Sequence, residues 1–324
     1  MPPQPNKWRA LPIAILGVLL LSSAAVYGVY VRDMKAIRDR VARESQIAGT
    51  RHGPMEYARW GDGPPVVVMH GAGGGYDQGR LIPMAFGGDG YDWISISRFG
   101  YLRSPLPEDA STPAQAEAVA DLLDQLGIDR VAIVAMSGGV PPALQFAQLF
   151  PGRTTALVLL SSAPFSPLEA SQQDLPIPAW LYQALFGSDF LFWAAIKLAP
   201  SSLDRIFDVS PEARARLSGA DRAFVEGLVA AFLPVTDRTA GLRNEGAAVD
   251  PGTVYDLAGI TTPTLVVHAR DDGINPFAFG AYAAENIPGA EFMALETGGH
   301  LLLGHIERVR ERVMSFLGRH AGAE

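Results

Sequence analysis

The segment around Ser137 constrains the fold more than any other part of the chain. Residues 131–136 read VAIVAM, a buried-strand pattern, and they end on Ser137 and two glycines. A parallel strand that turns sharply into a helix exposes its last side chain above the sheet, and the helix N-terminus offers N–H groups to an oxyanion. The usual nucleophile pattern is G-x-S-x-G, and Ala135 replaces its first glycine. This pattern predicts a nucleophile, although an ordinary strand-to-helix turn has the same appearance.

Composition excludes several classes of function. The 324 residues allow one large domain or a domain with an insertion. The net charge of -8, with acidic and basic residues mixed along the chain, argues against a nucleic-acid partner. The absence of cysteine excludes disulfides, thiolate metal sites and a cysteine nucleophile. The 6 histidines do not form an H-E-x-x-H motif. We therefore expect neither a metal site nor a cofactor.

The N-terminus carries a membrane signal. Residues 10–31 contain no charged side chain and are long enough to cross a bilayer as a helix, after a short tail at 1–9. We expect a single-pass membrane anchor followed by a charged juxtamembrane linker at 32–52. A signal peptide cleaved near Ala24, with export of the remainder, is the alternative. Basic residues after the span favour a cytoplasmic domain, whereas an export signal would place it outside, so the orientation stays open.

Apolar runs and helical patterns alternate along the rest of the chain. Strand-like runs stand at 57–60, 66–69, 93–97, 131–136, 156–160, 264–268 and 291–295, and helical patterns follow several of them, such as 112–126 and 142–150. Alternation of this kind predicts a mostly parallel sheet with helices on both faces.

One stretch interrupts the alternation. About a hundred residues separate the runs at 156–160 and 264–268, too many for an unstructured loop, and they carry helical aromatic and leucine patterns. We expect an α/β core at 53–163 and 263–324 with a helical insertion at 164–262. Most of the insertion's aromatic residues should form its own core, and a few should roof an apolar pocket above the sheet.

A serine nucleophile requires a base and a carboxylate. His300 follows two glycines after the last strand, at the sheet edge that also carries Ser137. His305 is the competing base, expected inside a helix at 301–317. The segment after the strand at 264–268 offers two acids, of which Asp272 is the first choice and Asp271 the second.

An oxyanion requires preorganised N–H donors. Gly138 would supply one from the turn after Ser137. A glycine-rich loop follows the strand at 66–69, and Ala72 would supply the second donor, supported by His70, Gly71 and Gly73. A phosphate-binding loop is the rival explanation, but the G-x-G-x-x-G and G-K-[ST] contexts are missing.

Taken together, these motifs resemble a serine-dependent α/β-hydrolase over residues 53–318. The HGAGGG loop, the segment Arg98–Tyr101, the Ser137 turn, Asp272 and His300 stand in that family's order. The resemblance implies an eight-stranded sheet with a helical cap, as in esterases, cofactor-free perhydrolases and carbon–carbon bond hydrolases of ring-cleavage products. Dehalogenases and epoxide hydrolases of this fold have aspartate at the position of Ser137 and are disfavoured. We expect the fold to tolerate Ala135.

The expected reaction is hydrolysis of a small apolar carboxylic ester through an acyl-enzyme, with membrane attachment by the N-terminal helix. Carbon–carbon bond hydrolysis and perhydrolysis use the same residues and stay open. A non-catalytic, membrane-tethered binding protein is the alternative of another class. The sequence leaves the physiological substrate and the oligomeric state undetermined.

Overall fold

The computed structural model describes residues 7–163, 165, 178–245, 253 and 255–322. The chain divides into two units, Met1–Arg43 and Glu44–Glu324. Parts of the expected tail and of the expected insertion, namely residues 1–6, 164, 166–177, 246–252 and 254, lie outside the described residues.

The described part of the first unit is a single long helix, α1 (Lys7–Arg43). Its part from Leu16 to Arg43 is long and apolar enough to cross a membrane, a criterion that a signal sequence near an N-terminus also meets. Large apolar side chains such as Leu20 and Leu21 are exposed on it. The helix continues without a break through most of the region expected to be a linker, so that region begins as an extension of the apolar helix.

The second unit is built on one sheet of 8 strands. The strands are β1 (Gln46–Thr50), β2 (Gly53–Trp60), β3 (Pro65–Met69), β4 (Asp92–Ile96), β5 (Val131–Met136), β6 (Thr154–Leu160), β7 (Thr264–Ala269) and β8 (Glu291–Leu295). Every residue of β5, β6 and β7 is buried, which explains why these strands are continuous apolar runs.

The strand order brings four loops to one edge of the sheet, those after β3, β5, β7 and β8. The order is β1-β2-β4-β3-β5-β6-β7-β8, with antiparallel pairing only at β1–β2 and β2–β4. Strands β4 and β5 follow β3 in the chain and pair with it on opposite sides. The loops after β3 and β5 are therefore neighbours at a topological switch point. The loops after β7 and β8 end at the same edge. The mostly parallel sheet predicted from the sequence is confirmed.

The sheet begins earlier than expected. β1 pairs with β2 from Gln46 to Thr50, ahead of the expected start at Gly53. β1 is an edge strand of sequence QIAGT whose first two residues and Gly49 are exposed, so it lacks the apolar run that identified the inner strands.

Helices connect the strands and cover the sheet. They are α2 (Tyr76–Gly79), α3 (Leu81–Phe86), α4 (Thr112–Gln125), α5 (Val140–Leu149), α6 (Ala179–Phe186), α7 (Asp189–Leu198), α8 (Pro211–Arg216), α9 (Gly219–Ala230), α10 (Thr239–Asn244), α11 (Phe277–Asn286) and α12 (Ile306–His320). Helices α4, α5 and α11 bury apolar side chains in the same cluster as β3, β5, β6 and β7. Helix α12 contacts α3, β6 and β7.

The segment between β6 and β7 contains helices α6 to α10, as the interrupted alternation indicated. Phe186, Phe192 and Phe232 pack against one another with ring centroids 5.0 to 5.6 Å apart and form an internal core. Trp180 does not belong to this core, because 70% of its surface is exposed.

Candidate active site

Ser137 occupies a strained turn between β5 and α5. Its φ of +53° lies in the left-handed region that non-glycine residues rarely adopt. Gly139, two residues later, packs against the end of β3, where a Cβ would collide with the Met69 carbonyl oxygen and lie 2.8 Å from that of His70. Ala135 is fully buried and pairs regularly with Met69 and Leu159, so the sheet accommodates its methyl group.

Asp272 and His300 form a buried pair. Asp272 Oδ2 lies 3.0 Å and Oδ1 3.2 Å from His300 Nδ1. The backbone N–H groups of Ile274 and Asn275 each donate to Asp272 Oδ1 at 2.9 Å. Burial by itself would raise the pKa of Asp272, but the charge of His300 and hydrogen bonds from His268 and His300 lower that pKa below its usual range. Asp272 is therefore an ionised acceptor that fixes the orientation of the His300 ring.

Asp271, the second-choice acid, has a different position. Its side chain is exposed and accepts hydrogen bonds from the backbone N–H groups of Gly298 and Gly299, at 3.2 and 2.8 Å. It therefore holds the loop that carries His300, whose Nδ1 contacts Asp272 instead.

His305, the competing base, lies immediately before α12. The helix expected at 301–317 begins only at Ile306, because Leu302 and Gly304 have φ values of +57° and +77° that a helix cannot contain. His305 Nε2 lies 3.3 Å from Thr297 Oγ1. The expectation that His305 sits inside a helix is wrong.

Two buried residues near Asp272 were missed from the sequence, namely His268 and Asn275. His268 Nε2 lies 2.9 Å from the Asn275 carbonyl oxygen and 3.3 Å from Asp272 Oδ2. Both partners only accept, so this nitrogen carries the proton. The available signal was a histidine inside the otherwise apolar strand β7, since a buried polar side chain requires a partner.

The glycine-rich loop after β3 lies beside the Ser137 turn. A Cβ at Gly138 would lie 3.3 Å from the Ala72 backbone nitrogen, which places the two expected oxyanion donors next to each other. Gly71 and Ala72 line the same cavity as Ser137 and His300. Gly73 has a φ of +75°, and its N–H donates to the Tyr101 hydroxyl at 3.2 Å.

His70 is completely buried and shapes this loop. Its Nδ1 lies 2.7 Å from the Gly71 carbonyl oxygen, and its Nε2 accepts a hydrogen bond from the Arg98 backbone N–H at 3.0 Å. The carbonyl can only accept, so Nδ1 carries the single ring proton. Burial and the charge of Arg98 lower the pKa of His70 well below its usual range. His70 is therefore a neutral structural group.

Two arginines connect the loop to the segment between β6 and β7. Arg238 is fully buried, donates to the Gly74 carbonyl oxygen at 2.6 Å and pairs with Asp77 at 2.8 Å. Arg98 pairs with Glu245 at 2.5 Å, and the Tyr101 hydroxyl also donates to Glu245. These contacts hold the glycine-rich loop in place. Sequence reasoning missed Arg238 and Glu245, because neither stands in a recognisable motif.

A small apolar cavity lies between these elements. Its volume is about 130 Å³, and Ser137, His300 and Ala72 face it from the core. The segment between β6 and β7 contributes six more lining residues, Tyr182, Phe186, Ile206, Phe207, Leu228 and Phe232. Burial and the charge of Glu245 raise the pKa of Tyr182 to about 12, so its hydroxyl stays neutral. The expected aromatic roof is confirmed.

Within the described part of the chain, no group of three or more His, Asp or Glu side chains is arranged to hold a metal ion.

Comparison with known proteins places the chain in a family. A family model described as the alpha/beta hydrolase fold matches residues 64–304. Non-heme chloroperoxidase CPO-A1 of Kitasatospora aureofaciens is 28% identical, over 84% of this chain and 99% of its own. The 2-hydroxymuconate semialdehyde hydrolase of Pseudomonas putida is also 28% identical, over 86% of this chain and 94% of its own.

A solved structure agrees with these matches. The alpha/beta hydrolase fold protein from Nakamurella multipartita superimposes with a TM-score of 0.74 and 27% identity, covering 86% of this chain and 100% of its own. With the sheet order and the family match in agreement, the chain belongs to the alpha/beta hydrolase fold family.

Proposed function

We propose that the protein is a serine hydrolase that cleaves a small apolar carboxylic ester through an acyl-enzyme. Ser137 Oγ attacks the carbonyl carbon while His300 Nε2 takes the hydroxyl proton. The alcohol leaves with that proton. Water then attacks the acyl group, gives a proton to His300 and releases the acid. Asp272 holds His300 and stabilises the imidazolium, and the Ala72 and Gly138 N–H groups bind the oxyanion.

The observation that carries this proposal is the arrangement around the cavity. Ser137, His300 and Ala72 line one apolar cavity. The buried carboxylate of Asp272 is hydrogen-bonded to Nδ1 of His300. A nucleophile, a base with a fixed tautomer and an adjacent N–H donor are the parts that acyl transfer requires. The cavity volume of about 130 Å³ favours a short acyl group, and its mainly apolar lining favours an uncharged one.

Labelling of the full-length protein in detergent with a fluorophosphonate tests the proposal. The Ser137 oxygen would bond to phosphorus with loss of fluoride, and the wild type should be labelled while Ser137→Ala is not. A folded wild type that takes no label would instead support a non-catalytic binding protein.

Carbon–carbon bond hydrolysis is the second candidate, favoured by the similarity to the 2-hydroxymuconate semialdehyde hydrolase. In that reaction, Ser137 Oγ would attack a ketone and give its proton to His300, and the adjacent carbon–carbon bond would break. The stabilised carbanion would take that proton from His300, and water would then release the acid from the acyl-enzyme. Comparing short p-nitrophenyl esters with vinylogous diketones separates the two candidates by their kcat/KM.

A third assay with peroxide and a short carboxylic acid measures perhydrolysis, which the similarity to the chloroperoxidase favours.

We further propose that α1 anchors the enzyme in a membrane. The length and exposed apolar surface of its segment from Leu16 to Arg43 support this assignment. An anchored protein should stay in the membrane fraction after alkaline carbonate washing, with its N-terminus intact by mass spectrometry. A soluble product beginning near residue 25 would support the signal-peptide alternative.

A further inference from the structure

The loop that carries Asp272 also reaches the nucleophile. Asn275 is completely buried, and its Nδ2 lies 3.3 Å from Ser137 Oγ and 3.0 Å from the Ser161 carbonyl oxygen. A carbonyl oxygen can only accept, so the NH₂ end of the amide must face Ser161. The same nitrogen has a second hydrogen, and the hydrogen bond to Ser137 uses it. The amide is therefore a donor to the nucleophilic oxygen.

The backbone of Asn275 is held on both sides. Its N–H donates to Asp272 Oδ1 at 2.9 Å, and its carbonyl oxygen accepts from His268 Nε2 at 2.9 Å. Gly280 leaves room for the His268 ring, since a Cβ at position 280 would lie 2.5 Å from His268 Nδ1. These contacts couple the position of the Asn275 amide to that of Asp272, the acid that orients His300.

A donor at this place has two consequences for the reaction. Ser137 Oγ accepts a hydrogen bond from Asn275, so its own hydrogen is left to donate to the base. The amide hydrogen also faces the oxygen on which negative charge develops as the proton leaves, and a preorganised dipole in a buried site stabilises such charge.

We propose that Asn275 positions and polarises Ser137 Oγ for attack, an inference that rests on the proposed serine-hydrolase function. The probe is a fluorophosphonate, whose labelling rate reports formation of the bond to Ser137 Oγ directly. Asn275→Leu removes both donors at similar volume. Asn286→Leu is the matched control, because Asn286 is exposed on α11 and, within the described part of the chain, its amide donates only to the Tyr282 carbonyl oxygen of the same helix.

The expected result is a labelling rate about tenfold lower in Asn275→Leu, with that of Asn286→Leu within about twofold of the wild type. With an ester substrate, kcat should fall while KM stays near its wild-type value, because the apolar pocket is unchanged. A merely structural role would instead lower the amount of folded protein and leave the rate per folded molecule unchanged.

Four outcomes are distinguishable. An unlabelled wild type would remove the proposed function itself. A labelled wild type together with folded Asn275→Leu that labels at the same rate would overturn the role of Asn275 alone. If the leucine variant fails to fold, Asn275→Ser decides, because its shorter side chain cannot reach Ser137. A folded, slowly labelled serine variant supports the proposal, and failure of both variants to fold assigns Asn275 to the fold and overturns it.

Discussion

Asp272 and His300 are joined across the ends of β7 and β8 by a contact of 3.0 Å between Oδ2 and Nδ1. Both side chains are almost fully buried, at 0% and 6% exposed. A buried carboxylate that also accepts two backbone N–H groups cannot easily leave this position, because each lost hydrogen bond would leave a buried polar group without its partner. The pair is therefore rigid, and Nε2 is the His300 nitrogen that the proposed mechanism assigns to proton transfer with Ser137.

Replacing Asp272 by asparagine should lower kcat by about 10³- to 10⁴-fold, because the amide can hold the imidazole in the wrong tautomer. Asp271→Asn is the matched control. Among the residues that the structure describes, Asp271 accepts hydrogen bonds only from the backbone of the His300 loop, so this change should cost less than about tenfold. Steady-state ester hydrolysis with both purified variants measures the difference. Equal losses in the two variants would contradict the assignment of Asp272.

Replacing His300 by alanine should remove the base, and hydrolysis should fall by several orders of magnitude, on the order of 10⁵-fold or more. His305→Ala should leave hydrolysis within about tenfold of the wild type, since His305 lies before α12 and contacts Thr297. Steady-state ester hydrolysis and the rate of fluorophosphonate labelling are measured for both variants. Loss of labelling in His305→Ala with normal labelling in His300→Ala would reverse the assignment of the base.

The inner part of the fold and the order of the motifs could be predicted from the sequence. Strands such as β5 and β7 are apolar runs because they are buried on both faces, so local composition reveals them. The parallel sheet then places Ser137, Asp272 and His300 at one edge, whatever the details of the loops.

The remaining features depend on contacts that local patterns do not carry. Glu245 meets Arg98 across 147 residues of chain, and the hydrogen bond of Asn275 to Ser137 spans 138. β1 is an edge strand with exposed residues and has no apolar signature. The start of α12 depends on the positive φ of Leu302, which only the packed loop imposes on a non-glycine residue.

Breaking the buried Arg238–Asp77 ion pair should strongly lower the free energy of unfolding. Both side chains are buried, at 0% and 4% exposed, so Arg238→Met would leave the Asp77 charge without its partner. We expect a loss of about 3–5 kcal/mol in the free energy of unfolding. Arg51→Met removes an exposed pair with Asp121 and should cost no more than about 1 kcal/mol.

Urea unfolding in detergent measures both changes. The double variant Asp77→Asn with Arg238→Met should recover part of the loss, because the uncompensated charge is gone. A single Arg238→Met variant as stable as Arg51→Met would contradict the role of the buried pair.

His70 should make the stability depend on pH. In the folded protein, burial and the charge of Arg98 keep its pKa well below the value of about 6.5 that it has in the unfolded chain. As the pH falls below about 6.5, the unfolded chain binds a proton that the folded protein does not, so the free energy of unfolding decreases, with a limiting slope of about 1.4 kcal/mol per pH unit. Above that pH the imidazole is neutral in both states, so His70 no longer makes the stability depend on pH.

His70→Gln tests this dependence, because the amide can serve the Gly71 carbonyl and the Arg98 N–H without titrating. The urea midpoint should change less between pH 7.5 and 5.5 in this variant than in the wild type. Gly152→Ala, at an open site where a Cβ meets nothing within 4 Å, should keep the wild-type pH dependence. The same pH dependence in His70→Gln as in the wild type would show that other groups cause the acid destabilisation, and His70 would then be a packing residue without a titration role.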